Sequence, residues 1–456
     1  MRWIGSTTSL SIQGKRALSF QEYHKYSVWA AGQGWTGALG LGDPVMIDKE
    51  WSHVSMEERE NHFTLVDDSN ADVVTCGWGH SMRVNGNEIQ MAGRPYEFST
   101  LLRLHRLPSF LRIPVIQSTL DQKYSSKTTQ SQPSLWNKWI DTFLHASEHS
   151  ENEPYYPYTL LPEFTSIPTT FLQHPISQIQ ASAGWSAILT QQDGLVYACG
   201  VNQYGQCGQD ATTTATVWKP TPIPNLPPIS QISCGLQHGL ALSKEGIIYS
   251  WGKGERGQLG RDLIGEGGTP YFETPQPIES LIPTPVMELS CGLNHSACLT
   301  NDNRLWIWGK YTHPDNDRQD SMLPRPIDFL ENSTIQRISC GSHHTAILLD
   351  NGSIYAVGIT TDTVQPIMDQ PVQLVPPGII SPNDIVQFQS HFDRTTIVTS
   401  DHQVWEVQLM QPNHNDNNKV YFQPTWQKHL TEESNQLIHS VHRGWLHTLV
   451  VTQNKQ

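Results

Sequence analysis

Five histidines, His80, His238, His295, His344 and His447, recur in one local context, and four of them precede a hydroxyl residue: Ser81, Ser296, Thr345 and Thr448. An imidazole beside a hydroxyl is the pairing a general base makes with a nucleophile. Several imidazoles together are also a donor set for zinc or copper. Seven cysteines (Cys76, Cys199, Cys207, Cys234, Cys291, Cys298 and Cys340) add thiols that could ligate a metal or pair as disulfides.

Spacing argues against all of these uses. Cys76, Cys234, Cys291 and Cys340 each stand immediately before a glycine, no CxxC pair occurs, and the count of seven is odd. Thiols that recur with a structural repeat are small buried groups suited to a reducing compartment. The histidines follow the same repeat, so they lie on different units of a ring and cannot converge on one ion. They are read as scaffold, each hydrogen-bonding backbone within its own unit. No Ser/His/Asp set, Walker loop or zinc spacing occurs elsewhere, so no catalytic residue, metal or cofactor is assigned and the chain is not read as an enzyme.

The repeat is visible in VVTCGWGHSM (73–82), IQASAGWSAI (179–188), ISCGLQHGLAL (232–242), LSCGLNHSACL (289–299), ISCGSHHTAIL (338–348) and VHRGWLHTLVV (441–451). A degenerate copy, FQSHFDRTTIV (388–398), places Ser390 where the others have glycine and Asp393 where they have histidine. Gly77, Gly184, Gly235, Gly292, Gly341, Ser390 and Gly444 thus mark seven steps of ~50 residues, the step after Gly77 being about twice as long. After each anchor comes an apolar run, a DG, EG, DN or NG turn and a second run ending in glycine, as in LALSKEGIIYSWG (240–252). These are hairpin signals. Four short strands per unit, repeated seven times, make a propeller. SVWAAGQGWTGALGLGD (27–43) is the second half of a unit and IHSVHRGWLHTLVVTQ (438–453) the first half, so the two ends complete one blade between them. Counting this composite as blade 1, the fold expected is all-β: a seven-bladed β-propeller over 22–456, closed by N- and C-terminal strands, with inserts at 44–70 and 99–172.

The succession CGxxH[ST]xxL, DGx[VI][YW]xWG and GQLG resembles the regulator of chromosome condensation (RCC1-type) repeats. The likeness covers most of 26–42, 71–98, 176–260, 286–358 and 385–452. It implies a regulatory protein-binding propeller. The founding member is a guanine-nucleotide exchange factor, which implies a GTPase as partner; the alternative is a scaffold or assembly factor without exchange activity. A mitochondrial member of the family exists, and residues 1–21, with Arg2, Lys15 and Arg16 and no acidic residue, have transit-peptide composition.

Two features individualise the chain. Trp78, Trp185 and Trp445 each follow an anchor glycine; two readings stand, packing within or between blades and an aromatic partner-binding patch on one face. The insert 99–172, between blades 2 and 3, is expected to be partly helical: Leu135, Trp136, Trp139, Phe143 and Leu144 fall at helical spacing, and STLLRLHRLPSFLR (99–112) suggests a second helix. A net charge of −14 opposes contact with phosphate backbones, so direct nucleic-acid binding is not expected. No apolar run approaches the ~18 residues of a membrane span, and a monomer is expected.

Overall fold

The structure is a computed structural model. It describes residues 26–32, 36, 38–41, 64–67, 71–86, 88–94, 104, 106, 161–167, 169, 172, 174–262, 271–310, 320–327, 333–358, 371–376, 381–408, 419–421, 423–424 and 436–454. Their strands form seven sheets, six of four strands and one of five. The first four strands of each sheet are paired antiparallel, and the first strand faces a central channel. Blade 2 runs Ala71–Cys76, His80–Asn85, Glu88–Gly93, Leu161–Ile167; blade 3 runs Ile176–Ala181, Trp185–Thr190, Val196–Val201, Thr216–Pro222. Blades 4, 5, 6 and 7 begin at Ile229–Cys234, Val286–Cys291, Ile335–Cys340 and Ile385–His391. Blade 6 carries a fifth strand, Lys419–Tyr421, paired in parallel with Val372–Val375. In blade 1 the order is Gln436–Arg443, His447–Asn454, Tyr26–Gly32, Thr64–Asp67, so the two ends of the chain share one sheet as expected.

Second strands such as Trp185–Thr190, His238–Ser243, His295–Thr300 and His344–Leu349 are buried at all six positions. A blade is covered on both faces by its neighbours, which is why these strands read as unbroken runs of apolar and small residues. The core is accordingly a ring of interfaces. One cluster joins Leu189 and Val196 of blade 3 to Ile232 and Trp251 of blade 4, and another joins Leu242 and Trp308 across blades 4 and 5. Others close the circle, with Val404 of blade 7 against Val441 of blade 1, and Val28 of blade 1 against Val74 of blade 2.

The insert boundaries need correction. Leu161–Ile167, inside the expected insert 99–172, is the fourth strand of blade 2, and Thr64–Asp67, inside 44–70, is the fourth strand of blade 1. Both insertions therefore interrupt a blade between its third and fourth strands instead of separating blades. Short outer strands carry little apolar signal, so a long connection hides them. The helix expected at 135–149 lies outside the described residues; of 99–112, Leu104 and Arg106 are described, both helical, with Leu104 buried. Because strands alternate in direction, the first-to-second turn and the third-to-fourth connection leave a blade at the same end. Both insertions depart from the face that carries the anchor turns.

Candidate functional site: the channel mouth

The first strands line a cavity of about 110 Å³ that opens to solvent and is bounded by residues of all seven blades. Its wall is held by side chains that cross from blade to blade. Ser233 Oγ accepts the Cys291 N–H at 2.9 Å, while the Cys291 thiol reaches back to Ser233 O at 3.4 Å. Ser290 and Cys340 repeat this one blade on, at 2.9 and 3.5 Å. Here lies the physical reason for the recurring cysteine: it is a buried donor to the preceding blade. Burial pushes the Cys340 thiol up to about 11 and Cys76 up to about 12, the wrong direction for a nucleophile. All seven cysteines are free.

The histidines also bridge blades, which corrects the expectation of bonds within each unit. His80 Nε2 lies 2.7 Å from Ser186 Oγ of blade 3, and His447 Nε2 lies 2.7 Å from Ser81 Oγ of blade 2. His238 meets Ser296 at 3.0 Å, His295 meets Thr345 at 3.2 Å, and His344 meets Thr395 at 3.2 Å. Ser296 donates its own proton to Gln258 O, so it accepts from a protonated His238 Nε2. Ser81, Ser296 and Thr345, each beside a histidine, thus serve the preceding blade, while Thr448 accepts from Arg443 of its own blade, and no nucleophile–base pair with the neighbouring histidine results. Desolvation lowers His80 to about 4 and, with neighbouring histidines adding to it in most cases, His238, His295, His344 and His447 to about 3. All five rings are neutral at pH 7.

Each ring packs against its anchor glycine. A Cβ on Gly235 or Gly292 would sit 2.0 Å from the Cε1 of His238 or His295, and Gly77, Gly341 and Gly444 are similarly placed against His80, His344 and His447. Glycine and histidine therefore require each other, and this corrects the alignment of two blades. Trp185 pairs with Gly200 as His80 pairs with Gly93, and the Ser182 N–H binds Trp185 O as the Gly77 N–H binds His80 O. So Trp185 occupies the histidine place, Ser182 the anchor place, and Gly184 is not an anchor. In blade 7, Arg394 pairs with Gln408, which puts Arg394 at the histidine place and His391 at the anchor, in place of Asp393 and Ser390. Where the imidazole is absent, the anchor carries a Cβ.

The expected tryptophan trio consequently divides. Trp185 is fully buried, and its indole N–H donates to Gly235 O of blade 4 at 3.2 Å; it is a packing residue. Trp78 and Trp445 are partly exposed at the channel mouth and stack at 5.0 Å between centroids. The third aromatic is Phe392 of blade 7, edge-on to Trp78 at 6.0 Å. In register, HFDRT (391–395) matches GWLHT (444–448), so the shared threonine could have revealed Phe392. Around the rest of the mouth the matching places hold Ala183, Leu236, Leu293 and Ser342. Backbone bonds tie this rim together: Leu236 N to Leu293 O, Leu293 N to Ser342 O, and Ser342 N to Phe392 O.

Next to the aromatic cluster the joint between blades 7 and 1 is ionic. Arg443 binds Glu406 through Nε and Nη2 at 2.6 Å each and donates to Thr448 at 3.0 Å. Arg394 Nη1 approaches Glu406 at 3.6 Å and Thr396 donates to it at 2.8 Å. Burial works to raise the Glu406 pKa, but Arg443, then Arg394 and Thr396, outweigh it and hold the carboxyl below its usual range. Among the described residues no cluster of three or more His, Cys, Asp or Glu could hold a metal ion, and no helix is long and apolar enough to cross a membrane.

Comparison with known proteins agrees with this geometry. The model of the Regulator of chromosome condensation (RCC1) repeat matches residues 193–242 and 245–299, and a second model of that description matches 229–258, 288–313 and 335–361. The mitochondrial RCC1 domain-containing protein RUG3 of Arabidopsis thaliana is 31% identical over 137 residues, covering 30% of this chain and 29% of that protein, so the chain spans under a third of its length. The structure of human WBSCR16 superposes with a TM-score of 0.64 at 16% identity, over 95% of this chain and 100% of that one. Prp20p of Saccharomyces cerevisiae, described with its binding to Gsp1p and histones, superposes at 0.61 with 17% identity, over 95% and 92%.

Proposed function

The chain is a propeller of the regulator of chromosome condensation type, and from that premise we propose that it is a regulatory binding protein that seats a protein partner on its channel-mouth face. The stacked Trp78–Trp445 pair with Phe392 edge-on carries this reading. Aromatic clusters rimmed by near-neutral contacts dominate protein interfaces, and this one sits on a rim made rigid by blade-to-blade bonds. Both long insertions leave from the same face. The chemistry required is binding alone: the histidines and thiols are neutral and engaged in holding blades together.

Affinity purification with the full chain and with the triple variant Trp78→Ala, Trp445→Ala, Phe392→Ala tests this. A partner retained by wild type is expected to be lost by the triple variant, with a loss of at least tenfold in binding. Trp185→Ala, by contrast, should lower thermal stability. Equal capture by the triple variant would overturn the assignment of the mouth.

A second reading, guanine-nucleotide exchange on a GTPase, is favoured by the family likeness and by the fold shared with Prp20p. Acceleration of nucleotide release from the captured GTPase supports it, and a captured partner whose nucleotide release is unchanged leaves the scaffold role. For location, the basic residues 1–21 and the mitochondrial relative favour mitochondria; a truncation lacking 1–21 should lose that address. An unchanged distribution of the truncated chain would overturn it.

A further inference from the structure

In four of the blades one position on the first strand reaches the backbone of the next blade. It is Gln178 in blade 3, Gln231 in blade 4, Glu288 in blade 5 and Gln387 in blade 7, fixed by its pairing with Leu189, Leu242, Leu299 and Val398. The three glutamines act identically. Gln178 accepts the Ile232 N–H and donates to Ile232 O, both at 2.9 Å. Gln231 does the same to Leu289, both at 3.2 Å, and Gln387 to Val441, at 2.9 and 2.6 Å. Each amide clamps both backbone groups of one residue in the next blade, using one acceptor and one donor.

Glu288 stands in the same place but is a carboxyl group. Its Oε2 accepts the Ile338 N–H at 3.1 Å, as the glutamine oxygens do. Its Oε1 occupies the role of the glutamine nitrogen, is buried, and has no hydrogen-bond partner among the described residues. A carboxylate oxygen cannot donate; a carboxylic acid can. We propose that Glu288 is a protonated acid in the folded protein, its hydroxyl donating to Ile338 O, and that loss of this proton loosens the joint between blades 5 and 6.

The surroundings support the acid form. Titratable groups on the strands packed against it are Arg337 and Cys340 of blade 6, Cys234 and His238 of blade 4, and His295 and Cys298 of blade 5. Of these only Arg337 favours the ionised form, and its effect is outweighed: burial raises Glu288 to about 8 despite Arg337 and the Ile338 N–H. Burial also lowers Arg337 itself. The sign follows from linkage. A carboxyl whose folded pKa lies above its unfolded value stabilises the fold fully below about 4.5, and that contribution disappears as pH rises through about 8.

Glu288→Gln replaces the acid by the side chain that three sibling blades use, so the variant is expected to fold. Unfolding of wild type and variant should be compared from pH 6 to pH 9, with amide exchange in Ile335–Cys340 as local readout. The wild-type unfolding constant should rise relative to the variant by about tenfold per pH unit up to pH ~8, one proton's worth. Exchange across Ile335–Cys340 should quicken above that pH in wild type beyond the intrinsic rate, and not in the variant. A pH-independent difference would overturn the proposal. So would a variant weaker than wild type at pH 7 to 8, since that is the result expected if an ionised Glu288 is paired with Arg337.

Discussion

On acidification the protein is expected to unfold cooperatively between about pH 6 and pH 4.5, well above the range in which most carboxylates titrate. The cause is the histidine ring. His80, His238, His295, His344 and His447 are buried and neutral, and burial lowers them to about 3 or 4 from the usual 6.5. A group with a depressed folded pKa stabilises the fold above its unfolded pKa, and that stability is lost as pH falls towards the folded pKa. At pH 5 each such histidine forgoes about 2 kcal/mol, at ~1.4 kcal/mol per pH unit. Five together forgo about 10 kcal/mol, which is the whole stability of a typical domain. Protonation cannot be absorbed locally either, because a doubly protonated ring needs an acceptor at Nδ1, and the Nδ1 atoms of His80, His238 and His447 are buried with no hydrogen-bond partner among the described residues. Thermal melts from pH 7.5 to 4.5, followed by circular dichroism and tryptophan fluorescence, should show a falling midpoint and an uptake of protons on unfolding to which each of these rings contributes about one. His238→Gln should remove one proton from that uptake. A midpoint constant to pH 4.5 would show that the ring is not neutral and buried.

How these histidines work was only half legible in the sequence. Their recurrence at one register position marks them as scaffold, and the half-repeats at the two ends predict a shared blade, which the pairing of Tyr26–Gly32 with His447–Asn454 realises. Both signals are local and periodic. The partner of each histidine is not, because a hydroxyl one blade away is some 50 residues distant in sequence, as Thr345 is from His295. The anchor glycine misled for a related reason. Glycine also ends the third strand and precedes the histidine place, so aligning IQASAGWSAI on Gly184 shifted that blade by two residues and moved Trp185 from the interior to the rim. Because anchor glycine and imidazole occur together, a segment without histidine, such as this one, need not have glycine at the anchor. Phe392 was missed through the same error in blade 7. The outer strands Thr64–Asp67 and Leu161–Ile167 were hidden because a strand with one exposed face, at the end of a long connection, has too few apolar residues to stand out.

Blade 7 shows what replaces the histidine bridge when it is absent, and it yields the second large effect. Arg394 stands at the histidine place, and the joint to blade 1 is made instead by Glu406 with Arg443 and Arg394. This joint borders the composite blade, in which Tyr26–Gly32 pairs with His447–Asn454. Two guanidinium groups share one carboxylate in a site where Glu406 is 5% exposed. Removing one partner of a buried pair leaves a charge that water cannot reach and costs about 3–5 kcal/mol. Glu406→Gln is therefore expected to lower stability by about that amount and to expose the edges of blades 7 and 1 to amide exchange before the other blades. Arg443→Met alone should cost less, because Arg394 remains to neutralise Glu406. Combining the two should cost less than the sum of the singles, since the double variant strands one charge fewer than the separate changes imply. Strict additivity, or a loss below about 1 kcal/mol for Glu406→Gln, would show that the network is solvated like a surface pair. In that event Arg443, which lines the channel next to Trp445, would be available to a partner and the mouth would present a cation beside its aromatic cluster. The same measurement thus decides whether the recognition surface is apolar or charged.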